Sequence, residues 1–166
     1  MNDEALARRC RALKLLLSDV DGVMTDGTVL LLPDGREAKS FHIRDGVAVV
    51  LARRAGLRTG IITGRSSEVV TRRAAELGIA HVSQGVGDKA AELAALMGRL
   101  GVAPAETACV GDDTPDLPML ENAGLAIAVA DAHGALGPVV HWVTSAAGGR
   151  GAVREVCDLL ISARAP

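Results

Sequence analysis

Short, continuously apolar runs, each followed by a turn and then by a helical pattern, restrict this chain more than any other feature. They fall at residues 13–20, 57–63, 80–83, 107–110, 125–129 and 139–144 and predict strands. A strand with one wet face alternates apolar and polar residues. Most of these runs do not, as expected when helices cover both faces of a parallel sheet. Between them, residues 47–55, 68–77, 89–100 and 117–122 carry helical patterning, and 152–163 predicts a closing helix. Ser66 or Ser67 suits the N-cap of the second helix, and Gly56, Gly78 and Gly101 sit where a left-handed C-cap is wanted. The expectation is an α/β fold: a Rossmann-like open parallel sheet, one domain over residues 1–166. A chain of that length buries about 70% of its unfolded surface, so its core needs no disulfides.

One stretch breaks the alternation. Residues 28–32, then Pro33-Asp34-Gly35, then 36–42 predict a small β-hairpin around an Asp-Gly turn, inserted after the first strand.

Composition removes several function classes. Apolar residues are 49% and charged ones 23%, which excludes disorder for the bulk of the chain. The aromatic residues are Phe41 and Trp142, with no Tyr, and the net charge is −2. Neither stacking platforms nor a basic field is therefore present for nucleic acid. Cys10, Cys109 and Cys157 are odd in number and lack zinc-site spacing, so reduced thiols are expected. The apolar segment 13–17 is interrupted by Lys14 and has no cleavage site after it, and no apolar run reaches the roughly 20 residues of a membrane span. A cytoplasmic protein without a membrane partner is the expectation.

In open α/β sheets, ligands collect outside the carboxyl ends of the strands. The polar residues just after the apolar runs are Asp19 and Asp21, then Thr63-Gly64-Arg65, then 85–89 ending in Lys89, then Gly111-Asp112-Asp113 with Asp116. Clustered carboxylates repel one another, so a hard cation such as Mg²⁺ is their natural partner, together with a phosphate. Asp19 and Asp21 are two apart at a strand end, so one can attack while the other moves protons. Gly22 lets the backbone approach a phosphoryl group closely. Any one of these aspartates alone reads better as a turn or cap residue than as a site residue; four at one sheet edge do not. Gly85-Val86-Gly87-Asp88-Lys89-Ala90 also fits a dinucleotide fingerprint, but Asp88 places negative charge where a pyrophosphate belongs.

The segments Asp19-Val20-Asp21-Gly22-Val23 with Thr25-Asp26-Gly27, Ile61-Ile62-Thr63-Gly64-Arg65, Lys89 and Gly111-Asp112-Asp113 resemble the four motifs of the haloacid dehalogenase superfamily of phosphatases. Phe41-His42-Ile43-Arg44-Asp45-Gly46, residues 128–132 and residues 147–155 are similar to one branch, the 3-deoxy-D-manno-octulosonate 8-phosphate phosphatases. The resemblance implies hydrolysis of that sugar-acid phosphate, a step in lipopolysaccharide precursor synthesis, through an aspartyl phosphate. It implies Asp19 as nucleophile and Asp21 as the group that protonates the leaving oxygen and then activates water. Mg²⁺ is implied on the Asp19 carboxylate, the Asp21 backbone carbonyl and Asp112. Thr63 and Lys89 are implied on the phosphate, with Asp113 and Asp116 orienting the ligands and Lys89. Sugar-phosphate contacts fall on Asp21, His42, Ile43, Arg44, Asp45, Gly46, Arg65, Arg73 and Lys89.

Two rival readings stand beside this one. A phosphoacceptor receiver domain uses similar groups, but places its acidic pair on the first strand and its lysine last. A phosphatase for a related nonulosonate 9-phosphate shares the fold. Superfamily members acting on small molecules usually insert a cap domain after the first or second motif. Asp21 to Thr63 spans 42 positions and Thr63 to Lys89 spans 26, too few for a folded cap. The chain is therefore expected to be capless, with hairpins of neighbouring subunits forming a shared collar in a homotetramer. Val29, Leu31 and Phe41 are the expected interface positions.

Overall fold

The computed structural model describes residues 3–164. Helix α1 (Asp3–Ala12) leads into β1 (Leu15–Ser18), and the antiparallel pair β2 (Leu30–Leu31) and β3 (Glu37–Ala38) follows. Then come α2 (Ile43–Arg54), β4 (Arg58–Ile62), α3 (Glu68–Leu77), β5 (His81–Ser83) and α4 (Lys89–Leu100). The chain ends through β6 (Thr107–Gly111), α5 (Leu117–Glu121), β7 (Leu125–Ala128), β8 (Trp142–Val143) and α6 (Ala152–Ser162). Six strands form one parallel sheet in the order β5-β4-β1-β6-β7-β8. Among the described residues, no helix is long and apolar enough to cross a membrane.

The central strand shows why the apolar runs are continuous. All four residues of β1 are buried, and successive side chains point to opposite faces. Leu16 joins the layer made by α1, α2, α3 and α6, with Val49, Ala74, Val156 and Leu160. Leu15 and Leu17 join the other layer, with Leu93 and Leu96 of α4 and Met119 and Leu120 of α5. The predicted sheet and most of its helices are present, including α3 and α4 with their left-handed glycine caps at Gly78 and Gly101.

Four expectations change. Helix α1 had no counterpart in the sequence reading, because its first apolar positions are interleaved with Arg8, Arg9 and Arg11. Ser67 occupies the N-cap of α3, yet its hydroxyl makes no cap bond; its N–H instead donates to Gln84 Oε1 at 2.8 Å. The last strand is only Trp142–Val143, shorter than predicted. Helix α2 begins at Ile43, four residues before the predicted start at 47, and runs through Arg44-Asp45-Gly46.

Asp45 supplies the reason for that early start. It is buried, and its Oδ1 accepts the Arg154 N–H at 2.7 Å in the first turn of α6, whose own N-cap residue, Gly151, has no side chain to do so. A carboxylate from one helix thus caps another, where the macrodipole favours negative charge. Burial nevertheless holds the Asp45 carboxyl above its ordinary range. Upstream of α6, the Gly148-Gly149 turn lies against the loop after β1. The Gly149 N–H donates to Val23 O at 2.9 Å, and a Cβ on Gly148 would fall 1.7 Å from Gly22 O. This segment, readable in the sequence as a flexible helix entry, is a packed support for the loop carrying Asp21. Replacing Asp45 by Ala should lower unfolding free energy by about 1–3 kcal/mol, read in a urea titration. Asp45→Asn, which keeps an acceptor, should cost less; equal losses would show that capping is not what the residue contributes.

Candidate active site

The chain leaves β1 towards β4 on one side and leaves β6 towards β7 on the other. Loops diverging from adjacent strands open a crevice at their carboxyl ends. A cleft of about 880 Å³ lies there, and Asp19, Asp21, Thr63, Arg65, Lys89, Asp112, Asp113 and Asp116 all line it. The strand-end residues predicted from the sequence therefore do meet at one place.

Lys89, the first residue of α4, is the pivot. Its side chain is buried, with Nζ 2.5 Å from Asp116 Oδ1 and 3.1 Å from Asp19 Oδ1. Burial works against its ammonium, but the two carboxylates outweigh that and raise its pKa. Asp88 just before it accepts the Ala90 and Ala91 N–H groups, both at 3.0 Å, so the fingerprint-like glycine loop ends in an ordinary helix cap. Asp116 uses its second oxygen to accept the Asp112 N–H at 2.9 Å, which ties Lys89 to the backbone of the β6 loop. Asp113 caps the turn below it through the Thr114 N–H at 2.6 Å.

Asp19, Asp112 and Asp116 each offer an oxygen, and these oxygens lie within 4.8 Å of one another. Burial first, and then the charges of Asp116, Asp19 and Asp113, push the Asp112 carboxyl up to about 7. Burial first, and then Asp116, raises that of Asp19 against the opposing pull of Lys89. Despite the proximity of Lys89, Asp19 Oδ1 makes no aligned hydrogen bond. Gly22 has φ +87°, and a Cβ there would sit 2.0 Å from Asp112 Oδ2, so only glycine lets that carboxylate lie against the β1 loop.

The predicted sugar contacts divide. Arg65 borders the cleft, with Nε 3.5 Å from Asp21 Oδ2 and a terminal nitrogen 2.9 Å from Glu37 Oε2. His42, Ile43, Arg44, Asp45, Gly46 and Arg73 do not line that cleft in this chain. Arg73 lies over Phe41, 5.7 Å from the ring centroid, and pairs with Glu76 at 2.8 Å. Phe41 is accordingly packed on the core rather than turned outward as expected; Val29 is half-buried, and Leu30 and Leu31 are the exposed large apolar residues of the hairpin.

Two cleft-side residues were missed. Lys39 has no side-chain exposure and forms an ion pair with Asp21 Oδ1, with Glu37 Oε1 3.9 Å away. The usable signal was period two: Glu37 and Lys39 flank Ala38 and share one face of the hairpin strand. On a short, polar edge strand such charges read as solvated.

Comparisons with known proteins agree with this geometry. The sequence family described as haloacid dehalogenase-like hydrolase matches residues 35–124. The 3-deoxy-D-manno-octulosonate 8-phosphate phosphatase KdsC of Salmonella typhi is 47% identical over 152 residues, 92% of this chain and 81% of that protein. Its Yersinia pestis counterpart is 43% identical over 157 residues, 95% and 84% of the two chains. The crystal structure of the Moraxella catarrhalis 3-deoxy-D-manno-octulosonate 8-phosphate phosphatase, in complex with magnesium, phosphate and KDO, superimposes with a TM-score of 0.96 at 39% identity, covering 98% of this chain and 94% of that one. A cobalt-bound enzyme of the same description from Haemophilus influenzae gives 0.91 at 37% identity, over 94% and 91%. With the motifs, the sheet order and the acidic cleft in agreement, the chain belongs to the haloacid dehalogenase-like hydrolases, in their 3-deoxy-D-manno-octulosonate 8-phosphate phosphatase family.

Proposed function

We propose that this chain is a phosphoric monoester hydrolase that converts 3-deoxy-D-manno-octulosonate 8-phosphate to 3-deoxy-D-manno-octulosonate and phosphate. The observation that carries the reading is the buried Asp19–Lys89–Asp116 ion-pair group beside Asp112 and Asp21. It lies in a chain that matches, over nearly its whole length, an enzyme holding magnesium, phosphate and KDO.

The donor set fits a divalent cation: three carboxylates converge, Asp112 is surrounded by negative charge, and Asp19 Oδ1 has no aligned donor. Asp19, the backbone carbonyl of Asp21 and Asp112 would hold Mg²⁺, with Asp116 kept busy by Lys89 and the Asp112 N–H. When bound, the ion supplies the positive charge that allows a carboxylate to meet a phosphate dianion. Asp19 then attacks phosphorus, forming an Asp19–phosphorus bond as the bond to the sugar oxygen breaks. Asp21 gives that oxygen its proton, and takes one from the water that next attacks the acyl phosphate and regenerates Asp19. Lys89 stays at the phosphate and Asp19 throughout as fixed positive charge, and Thr63 supplies a hydroxyl. Arg65 is suited to the substrate carboxylate, which would replace its present partners Glu37 and Asp21.

We further propose a homotetramer in the cytoplasm. Leu31 is 73% and Ile43 71% exposed, with Leu30 and Val47 also bare, so the hairpin and the start of α2 present apolar surface that a second subunit would cover. His42, Ile43 and Arg44, with Arg73, adjoin that surface and would reach substrate through assembly, while the buried Asp45 and Gly46 would hold the segment from beneath. All three cysteines are buried and unpaired, which suits a reducing compartment.

Three tests follow from this reading. Asp19→Asn should cut kcat at least about 10³-fold, more than about 4 kcal/mol in barrier, with an unchanged circular dichroism spectrum. Wild-type turnover in that variant would remove Asp19 as nucleophile. Protons compete with the cation at Asp112: its raised carboxyl favours the metal-free fold while protonated, a contribution lost as pH rises through about 7. Added Mg²⁺ should therefore raise Tm more at pH 8 than at pH 6, and an equal or reversed increment would contradict the assignment. Light scattering should give an oligomer at micromolar concentration; a monomer with full activity on the sugar phosphate would refute the collar.

A further inference from the structure

The hairpin after β1 is held by very little backbone pairing, since Leu30–Ala38 and Leu31–Glu37 are its only ladder pairs among the described residues. Yet Lys39, one residue past β3, has a side chain with no solvent exposure at all. Long ammonium side chains ordinarily reach for water, and burying one is costly unless a carboxylate meets it. Two do so here. Asp21 Oδ1 takes the ion pair, and Glu37 Oε1 stands 3.9 Å off. Arg65 closes the ring from the β4 loop, reaching Glu37 at 2.9 Å and Asp21 Oδ2 at 3.5 Å. Asp21 is thus held through one oxygen by a side chain shielded from solvent.

We propose that Lys39 is a positioning residue for Asp21, acting through the carboxylate and not touching the substrate. Its ammonium occupies Oδ1 and so leaves Oδ2, 3.5 Å from the cleft residue Arg65, as the oxygen that exchanges protons. Glu37 restrains Lys39 in turn, and the hairpin becomes part of the proton-transfer machinery. Placement at this level matters because a displacement of about 1 Å in a reacting group can cost on the order of 10²-fold in rate. The inference rests on Asp21 being the proton-transfer group, and the two can be separated. Asp21→Asn retaining turnover would end the underlying reading. Asp21→Asn inactive beside a fully active Lys39→Met would end only the role of Lys39.

The test compares Lys39→Met, which fills the same volume without charge, with Lys39→Arg, in the Mg²⁺-loaded full chain. With 3-deoxy-D-manno-octulosonate 8-phosphate, whose leaving alkoxide needs a proton, Lys39→Met should lose about 10- to 100-fold in kcat with KM changed less than about threefold. With p-nitrophenyl phosphate, whose leaving group needs none, the first-turnover burst of nitrophenolate should keep its rate while the later steady state slows. Lys39→Arg should recover a part of kcat. A purely structural residue would instead depress burst and steady state together and shift KM. That pattern, or wild-type kcat in Lys39→Met, overturns the proposal. Should Lys39→Met fail to fold, Lys39→Gln, which keeps one donor for Asp21, is read on the same split between burst and steady state.

Discussion

An imbalance of buried charge governs this protein. Three carboxylates, from Asp19, Asp112 and Asp116, crowd into one crevice, and the ammonium paired with two of them is that of Lys89. Like charges at such distances repel by several kcal/mol even at an effective dielectric of about 20. Lys89 offsets part of this, and the Asp112 carboxyl takes up part by retaining its proton up to about pH 7. What is left is a demand for positive charge that a divalent cation would meet, after which an anion could enter. The cluster is tolerable because it stands at the carboxyl ends of β1 and β6, where the chain diverges and water reaches the strand ends. The surrounding fold then has one task, holding two loops against each other. Gly22 lets Asp112 approach the β1 loop, and the Gly148-Gly149 turn supports that loop from the other side.

Much of this was legible in the sequence because the site is local in its chemistry. Each strand end carries its own polar residues, and a parallel sheet necessarily brings strand ends to one edge, so Asp19, Thr63, Lys89 and Asp112 could be placed together before their distances were known. Residues whose partners are remote in sequence were harder to read. Asp45 stood in the sequence only as a substrate contact implied by resemblance, and its bond to a backbone N–H 109 positions away in α6 had no local signal. Arg44-Asp45-Gly46 breaks the local helical pattern, and α2 extends through it because that tertiary cap compensates. Phe41 read as an outward hairpin position, but the strand ends at Ala38 and Phe41 turns in under Arg73. Lys39 was invisible for a related reason. Nothing in a short edge strand says that its lysine is buried until Asp21 and Glu37 are seen beside it.

The hairpin brings these threads together. Glu37 and Lys39 tie it by charge to Asp21 and Arg65, while Leu30 and Leu31 stand in solvent in the isolated chain. Two residues per strand cannot make such a ribbon rigid, because isolated hairpins are marginal even when longer. On the function proposed above, its position matters to Asp21, so something must hold it. The ionic ring does this from within. Packing of a neighbouring subunit on Leu30 and Leu31 would do it from outside, and both would act on the same few residues. A chain with too little length between its motifs for a cap domain could in this way keep the proposed acid–base group fixed: the short insertion would provide the grip, and the proposed assembly the stiffness that the insertion lacks alone.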